Sequence, residues 1–486
     1  MQVEYLLSKN NEKTCKINSI FLHSSYNPSR EAQNFVKNLN IQFIPSYIVI
    51  LEAGLGYVLP YLKERFPESK IILIKYCNEF DYDKSYTCLN YQNIDELSKI
   101  IPEIDLFSTI FLTWEASAKI FKDINDFTGK KIKDILSFAK TSLITRQYFE
   151  KKWLLNSCNF IRYVKKITSF TQKITNPVLI CASGPSLYDL IPYLKENQNK
   201  YFIIALSSAI SVLNRYSIKA DLYMTSDGGF WANYHLRKSN CEIPLAITVE
   251  AYANKRLLSN QNILPLIYND GISISLKNIT NINFMDAVRN GTISGSALEF
   301  ASSITDQNIF LTGLDLFSNK GFQHCQPNEL TLLNLHKFTR INNQETYEYK
   351  ASLNSESLKI YESWFKQYKI KNQKIYRIIN KDKVHNNLNQ IKDLQVSDFI
   401  QMTKNQKEKD KIIFKKYTRN EEDIKNDCQN YLKFLFNPQN LQEIQRNIFP
   451  LDIMNVKKFP DNLEFKEKLE NESKKLFNKI KGILNE

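Results

Sequence analysis

Apolar residues near the start of the chain fall in short unbroken runs parted by polar turns. Ile48-Val-Ile-Leu51 and Lys70-Ile-Ile-Leu-Ile74 have strand character, and Val58-Leu-Pro-Tyr-Leu62 between them reads as a helix. Strand, loop, helix and strand in that order form one β-α-β unit, which implies a parallel sheet. The pattern grows denser after residue 170. Pro177-Val-Leu-Ile-Cys-Ala182, Tyr201-Phe-Ile-Ile-Ala-Leu206, Leu222-Tyr-Met-Thr225, residues 245–249 and 263–267, Ile309-Phe-Leu-Thr312 and residues 375–379 all read as buried strands. Leu187, Leu190, Ile191 and Leu194 recur at helical spacing, and residues 294–304 and 358–368 also read as helices. Such alternation predicts a doubly wound α/β domain over about 170–395. From about residue 400 strand runs are missing. Ile424, Cys428, Tyr431, Leu432 and Leu435 make one apolar helical face, and Leu469, Leu476, Ile480 and Ile483 another. The expected architecture is α/β in three domains. A small Rossmann-like domain covers 1–130. A central doubly wound Rossmann-like domain covers 131–398, with 131–170 as a helical connector. A helical domain covers 399–486.

Composition adds limits. The 486 residues are 43% hydrophobic and 24% charged, a folded globular balance, and 12 Gly and 14 Pro exclude collagen-like architecture. Lys and Arg outnumber Asp and Glu by 65 to 51, a net charge of +14. That excess admits nucleic acid, anionic lipid or a phosphorylated small molecule as partner. No basic stripe interleaved with aromatics is present, so nucleic acid is not expected. Eight cysteines lie far apart without a Cys-x-x-Cys, which argues against a zinc ribbon and for a reducing, cytoplasmic setting. No run approaches the ~20 apolar residues of a membrane span, and the first residues do not read as a signal peptide.

Candidate chemistry gathers where strands end. Ser183, Gly184, Pro185 and Ser186 break the run ending at Ala182 and precede a helix. Gly184 admits close approach to the backbone, Pro185 suits a first helical turn, and free N–H groups at a helix start attract phosphate. An ordinary turn with a serine cap fits the same residues. Ser207 and Ser208 follow the next strand, and Asp227 with two glycines follows the third. In a parallel sheet all three loops share one edge, which favours a nucleotide site. Asp227 is either a ligand for ribose hydroxyls or a turn and capping residue. Thr292, Ser294, Gly295 and Ser296 open a helix beside Arg289, which could offset phosphate charge. Asp315 ends a strand, and Lys320 and His324 follow it in a loop. His324 is a candidate general base, with His336 twelve residues on as its rival. His23, His235 and His385 are less well placed. No metal-ligand spacing and no Walker A sequence occur. The glycine loop Glu52-Ala-Gly-Leu-Gly-Tyr57 is a degenerate Rossmann turn expected to hold no cofactor.

The order of these stretches resembles the motility-associated factor (Maf) family of bacterial flagellin glycosyltransferases. The resemblance runs over about 20–400. It rests on Leu22-His-Ser-Ser-Tyr-Asn-Pro-Ser-Arg-Glu-Ala32, Ser183-Gly-Pro-Ser-Leu187, Ala220-Asp-Leu-Tyr-Met-Thr-Ser-Asp227, Gly291-Thr-Ile-Ser-Gly-Ser-Ala297, Gly313-Leu-Asp-Leu316 and Lys320-Gly-Phe-Gln-His324, then Tyr361-Glu-Ser-Trp-Phe365. The central domain is also similar, more distantly, to family-42 bacterial sialyltransferases, where Ser183 stands in place of an asparagine. The resemblance implies transfer of a pseudaminic or legionaminic type of sugar from its CMP form to Ser/Thr of flagellin, supporting motility. It implies an inverting, metal-independent reaction with no cofactor beyond the CMP-sugar donor. His324 would be the base, and Ser183–Ser186, Ser294–Ser296 and Lys320 would stabilise the leaving phosphate. Two alternatives stand beside it. One is an ATP-dependent diphosphokinase of the 6-hydroxymethylpterin type, which the glycine-proline-serine domain also resembles. The other is a non-enzymatic flagellin-binding scaffold.

Overall fold

The computed structural model describes residues 3–316, 323–353, 356–371, 373–380, 386–410 and 414–486, without the side chains of 141, 142, 351–353 and 356. The chain forms two compact units, Met1–Glu150 with Leu441–Leu476, and Lys151–Asn440 with Phe477–Glu486.

In the first unit, β1 (Val3–Leu7), β2 (Lys13–Ile17) and β3 (Ile20–Phe21) form an antiparallel meander. A parallel sheet has the order β6 (Thr87–Asn90), β5 (Lys70–Lys75), β4 (Tyr47–Leu51), β7 (Thr109–Thr113). Every residue of β4 is buried, as a central parallel strand requires. The β-α-β unit read from the sequence is β4, the helix Val58–Arg65 and β5. The glycine loop after β4 is packed with the unit's own side chains. Glu52 adopts φ +45°, and its carboxylate accepts N–H bonds from Gly54 at 3.2 Å and Tyr76 at 2.7 Å and the Tyr82 hydroxyl at 3.2 Å. His23 Nε2 accepts the Leu55 N–H at 2.8 Å, and a Cβ on Gly54 would lie 2.5 Å from that nitrogen. Desolvation pushes the His23 imidazole down to about 4, so at neutral pH it is uncharged.

The second unit holds an 11-stranded sheet among the described residues. Its strands are β8 (Lys166–Phe170), β9 (Val178–Cys181), β10 (Phe202–Leu206), β11 (Leu222–Thr225), β12 (Leu245–Thr248), β13 (Asn262–Tyr268), β14 (Met285–Ala287), β15 (Ile309–Thr312), β16 (Ile375–Ile379), β17 (Lys392–Gln395) and β18 (Phe414–Thr418). The order is β17-β16-β15-β9-β10-β11-β12-β13-β8-β18, with β14 also on β13, and only β18 runs antiparallel to its neighbour. Residues of β9, β10, β11, β12 and β15 are buried throughout. Val178 and Ile180 pack in one core with Leu298 and Phe300 of the helix Ile293–Ile304. Leu179 and Cys181, one residue out of phase, are equally buried and point to the other face. The sheet is therefore doubly wound, with helices on both faces.

The C-terminal stretch is mainly helical, as expected, but not wholly so. Residues 399–486 contain a strand, β18, and their helices divide between the two units. β18 is Phe-Lys-Lys-Tyr-Thr, almost wholly exposed. An edge strand carries lysines because they discourage further pairing, and this polarity hid it from the apolar-run pattern. β17 at the opposite edge, Lys-Asp-Leu-Gln, is hidden for the same reason. The helices divide because each amphipathic face has a different partner. Ile424, Cys428, Tyr431 and Leu435 are buried in the second unit, where the Tyr431 hydroxyl lies 3.1 Å from Ser157 Oγ. In the first unit Arg446 and Lys457 both reach the Asp105 carboxylate at 3.2 Å. The boundary expected near 130 also falls inside a helix, Lys122–Tyr163.

One buried ion pair ties this end of the second unit. Arg419, just after β18, donates through Nη1 to the carbonyls of Ile161 and Val164 at 2.8 and 2.7 Å. Its Nη2 meets Asp427 Oδ2 at 2.7 Å, with both side chains buried. Removing one partner of such a pair strands a charge away from water. Asp427→Ala is expected to lower the unfolding free energy by about 3–5 kcal/mol, measured by urea denaturation. A change below about 1 kcal/mol, the range of an exposed pair, would contradict this reading.

Candidate functional site

β9 leads to β10 on one side of the sheet, while its other neighbour β15 leads to β16 on the opposite side. The strand order reverses between β9 and β15, and ligands of such sheets sit outside the carboxyl ends of the strands at that reversal. A cavity of about 460 Å³ lies there, within the size range of small-molecule sites. Ser183 and Gly184 line it from the loop after β9, Ser208 from the loop after β10, and Asp315 from the loop after β15. Thr292 and Ser294 line it from the start of a helix, and His324 from the loop beyond.

The two central loops are locked together. Gly184 N–H donates to the Gly313 carbonyl at 2.9 Å, Ser186 N–H to Asp315 Oδ2 at 3.0 Å, and Gly313 N–H to Ser186 Oγ at 3.1 Å. A Cβ on Gly184 would lie 2.5 Å from the Gly313 carbonyl oxygen, and one on Gly313 2.3 Å from that of Ala182. Gly313 also has φ +70°. The glycines thus serve the approach of loop to loop. Gly184 N–H and Ser186 N–H, expected to attract phosphate, are spent on Gly313 and Asp315. The anion at the start of the helix Leu187–Asn197 is the protein's own carboxylate. Cys325 completes the lock, donating its N–H to the Ser183 carbonyl at 2.7 Å.

Asp315 is 7% exposed, and its Oδ1 has no hydrogen-bond partner. Desolvation raises its carboxyl above the ordinary range, while the Ser186 hydrogen bonds and the Arg377 charge pull it back. Arg377 on β16 is fully buried and grips Asp393 at 2.8 and 2.9 Å. Its signal in the sequence was one charged residue inside an apolar strand run.

The donors that face the cavity are of another kind. Ser208 Oγ donates to Ser183 Oγ at 2.9 Å. The helix Ile293–Ile304 begins at Thr292, whose side chain makes no capping bond, and Ile293 and Ser294 of its first turn line the cavity. Uncapped first-turn N–H groups and the positive end of the helix dipole favour an anion there. His324 is exposed to the cavity but ringed by protein. Desolvation lowers its imidazole below the usual 6.5, His235 pushes the same way, and Glu348 and Asp315 oppose them. It is neutral at pH 7 and able to accept a proton.

The other sequence candidates lie elsewhere. Ser207 is buried at the start of a short 3₁₀ turn, and Pro185 stands in the turn before its helix. Asp227 is exposed and accepts the N–H of Gly229 at 2.7 Å, the turn role of its two readings. Gly295 packs against Asn290, and Ser296 Oγ donates to the Val288 carbonyl at 3.1 Å. Arg289 binds Asp270 at 3.0 Å and Glu250 at 2.7 Å, so its charge is spent within the protein. His336 is exposed and does not line the cavity, while Lys320 and His385 lie outside the described residues. Sequence reading missed Glu348 of the helix Gln344–Leu353, which lines the cavity and accepts the Gln323 N–H at 2.9 Å and the Thr331 hydroxyl at 3.2 Å. It set His235 aside as less well placed, though this residue perturbs His324. Neither follows a strand directly, so no local pattern marked them.

Comparison with known proteins bears on this geometry. The family described as MptE-like, 6-hydroxymethylpterin diphosphokinase MptE-like, matches residues 151–321. An uncharacterized protein of Treponema pallidum (strain Nichols) is 27% identical over 308 residues, a match spanning 62% of this chain and 66% of that protein. The solved structure of a Maf glycosyltransferase from Magnetospirillum magneticum AMB-1 superposes over 100% of this chain and 90% of its own, with a TM-score of 0.52 and 11% identity. That likeness establishes the fold. Among the described residues no helix is long and apolar enough to cross a membrane, and no group of three or more His, Cys, Asp or Glu is arranged to hold a metal ion.

The lock between the loops yields a paired expectation. Gly313→Ala places a side chain at positive φ against backbone and should cost at least about 1–2 kcal/mol. Asp315→Asn keeps the Ser186 N–H bond and removes a desolvated charge. The raised carboxyl of the folded state means wild-type stability falls as pH climbs from the unfolded carboxyl value through the folded one. Thermal melts from pH 4 to 8 should show that decline flattened in Asp315→Asn, and an unchanged pH profile would refute the assignment.

Proposed function

We propose that the chain is a glycosyltransferase that moves a nonulosonic acid, of pseudaminic or legionaminic type, from its CMP form to serine or threonine hydroxyls of flagellin. The observation that carries this reading is the convergence of His324, Ser183, Ser208, Thr292 and Ser294 on one cavity at the strand-order reversal. The Maf structure supports it through the fold, and the motif order through the sequence. A cytoplasmic setting agrees with eight free cysteines.

The chemistry follows from the lining. The acceptor oxygen attacks the anomeric carbon, and its proton passes to neutral His324. The bond from that carbon to the phosphate oxygen breaks, and its electron pair leaves with CMP. Charge growing on the departing phosphate meets the open start of the helix Ile293–Ile304 and the hydroxyls of Ser183 and Ser208. Holding donor and acceptor together supplies the rest through proximity. No step calls for a metal.

A second reading, the ATP-dependent diphosphokinase, draws on the MptE-like match to residues 151–321. It needs carboxylates to hold magnesium around the phosphates. Asp227, one of the two carboxylates expected to hold it, does not line the cavity and takes the Gly229 N–H, which leaves that reading weaker. Calorimetry with CMP and with ATP and magnesium separates the two. CMP binding alone supports glycosyl transfer, and magnesium-dependent ATP binding alone overturns it.

The base is tested by pH and substitution. Because burial lowers the His324 imidazole, kcat/KM should stay level through neutral pH and fall only below the ordinary histidine value of ~6.5. His324→Gln should reduce kcat by about 10²–10⁴-fold, the usual worth of a general base, and abolish the acid limb. Full activity in that variant would remove the assignment.

A further inference from the structure

A second, smaller cavity of about 170 Å³ adjoins the first. Ser208, His324, Tyr347 and Glu348 line both. His235, Asn328 and Thr331 line only the smaller one. A nucleotide-sugar demands the larger space, and the smaller suits a single side chain with its hydroxyl. In a displacement reaction the base must stand between donor and acceptor. His324 stands on the wall between the two cavities.

The smaller cavity has a feature that packing alone does not explain. His235 is 8% exposed and Glu329 7% exposed. His235 Nδ1 lies 3.9 Å from Glu329 Oε2, too far for a hydrogen bond, and both atoms are buried without partners. The other carboxylate oxygen is anchored by the Ser211 hydroxyl and by Lys238 Nζ at 3.6 Å. Unsatisfied buried polar atoms are costly to a fold. With the carboxylate on its Nδ1 side, His235 has Nε2 as the ring nitrogen available to a ligand in the cavity it lines.

We propose that this smaller cavity is the acceptor subsite, taking the serine or threonine side chain of a polypeptide, with His235 binding the hydroxyl beside His324 and Glu329 positioning His235 from behind. The inference rests on the glycosyl-transfer reading, and it names where the acceptor enters.

The test uses the full chain with ¹³C-labelled histidines, of which there are five, assigned by substitution and followed by NMR. N-acetyl-L-threoninamide is the probe, and N-acetyl-L-alaninamide, which lacks the hydroxyl, is the control. With CMP saturating, threoninamide should shift both His235 and His324, and alaninamide neither. Read at His324, threoninamide should bind at least about tenfold more weakly to His235→Asn and about threefold more weakly to Glu329→Gln. CMP affinity by calorimetry should stay within about twofold in both, which a general structural role would not preserve. Equal shifts with alaninamide, or undiminished threoninamide binding in both variants, would overturn the proposal. If His235→Asn fails to fold, Glu329→Gln and the alaninamide comparison decide it. Absence of CMP binding in the wild type, with the threoninamide response intact, would sink the donor reading and leave the acceptor subsite standing.

Discussion

The site depends on the contact between the loops that leave β9 and β15. Two parallel strands whose chains depart in opposite directions open a crevice between their loops. Here the crevice is bridged at its base by Gly184 on Gly313 and by Asp315 on the Ser186 N–H. Both glycines are forced by this approach, since a Cβ on either would meet backbone within 2.5 Å. Cys325 then docks on Ser183 and fixes the loop that carries His324. One carboxylate and two bare α-carbons set the floor on which the hydroxyls and the histidine stand.

That floor decides where an anion can go. A helix start holds negative charge, and at the helix Leu187–Asn197 Asp315 already provides it. A phosphate placed there would face a desolvated carboxylate. The remaining open start, that of the helix Ile293–Ile304, lies on the same cavity and lacks a capping side chain. The net charge of +14 adds little to this choice, because Arg289, the nearest arginine in sequence, is committed to Glu250 and Asp270. For the anion proposed at this cavity, local donors count for more than the overall charge, which acts only at long range.

Much of the scaffold was legible in the sequence, for a physical reason. A strand buried on both faces must be apolar at every position, and β4, β9, β10, β11, β12 and β15 announce themselves as such runs. The edge strands β17 and β18 did not, because a solvated edge favours Lys and Asp over Ile and Val. The same division holds for the site. Ser183, Ser208, Ser294 and Asp315 follow strands or open helices, so parallel topology alone brought them to one edge. Ser186, Ser296 and Asp227 obeyed the same rule and yet turned inward or outward to serve turns and backbone groups. Position along the chain selects the edge of the sheet. It does not select the direction of a side chain, which packing decides. Glu348 and His235 show the converse, for they reach the site from segments that carry no strand-end signature.

The histidine gains its meaning from these unannounced neighbours. A solvated imidazole is half protonated near 6.5, which is a poor starting point for a base at neutral pH. Around His324, burial and the facing His235 both disfavour the charged form, while Glu348 and Asp315 favour it. Burial and His235 prevail, so the ring rests neutral. The two carboxylates favour the imidazolium, so on the proposed reading their attraction counts once the ring has taken a proton. In the proposed transfer, burial and His235 keep the base free beforehand and the two carboxylates stabilise its charge once it forms, which is the differential effect that catalysis requires.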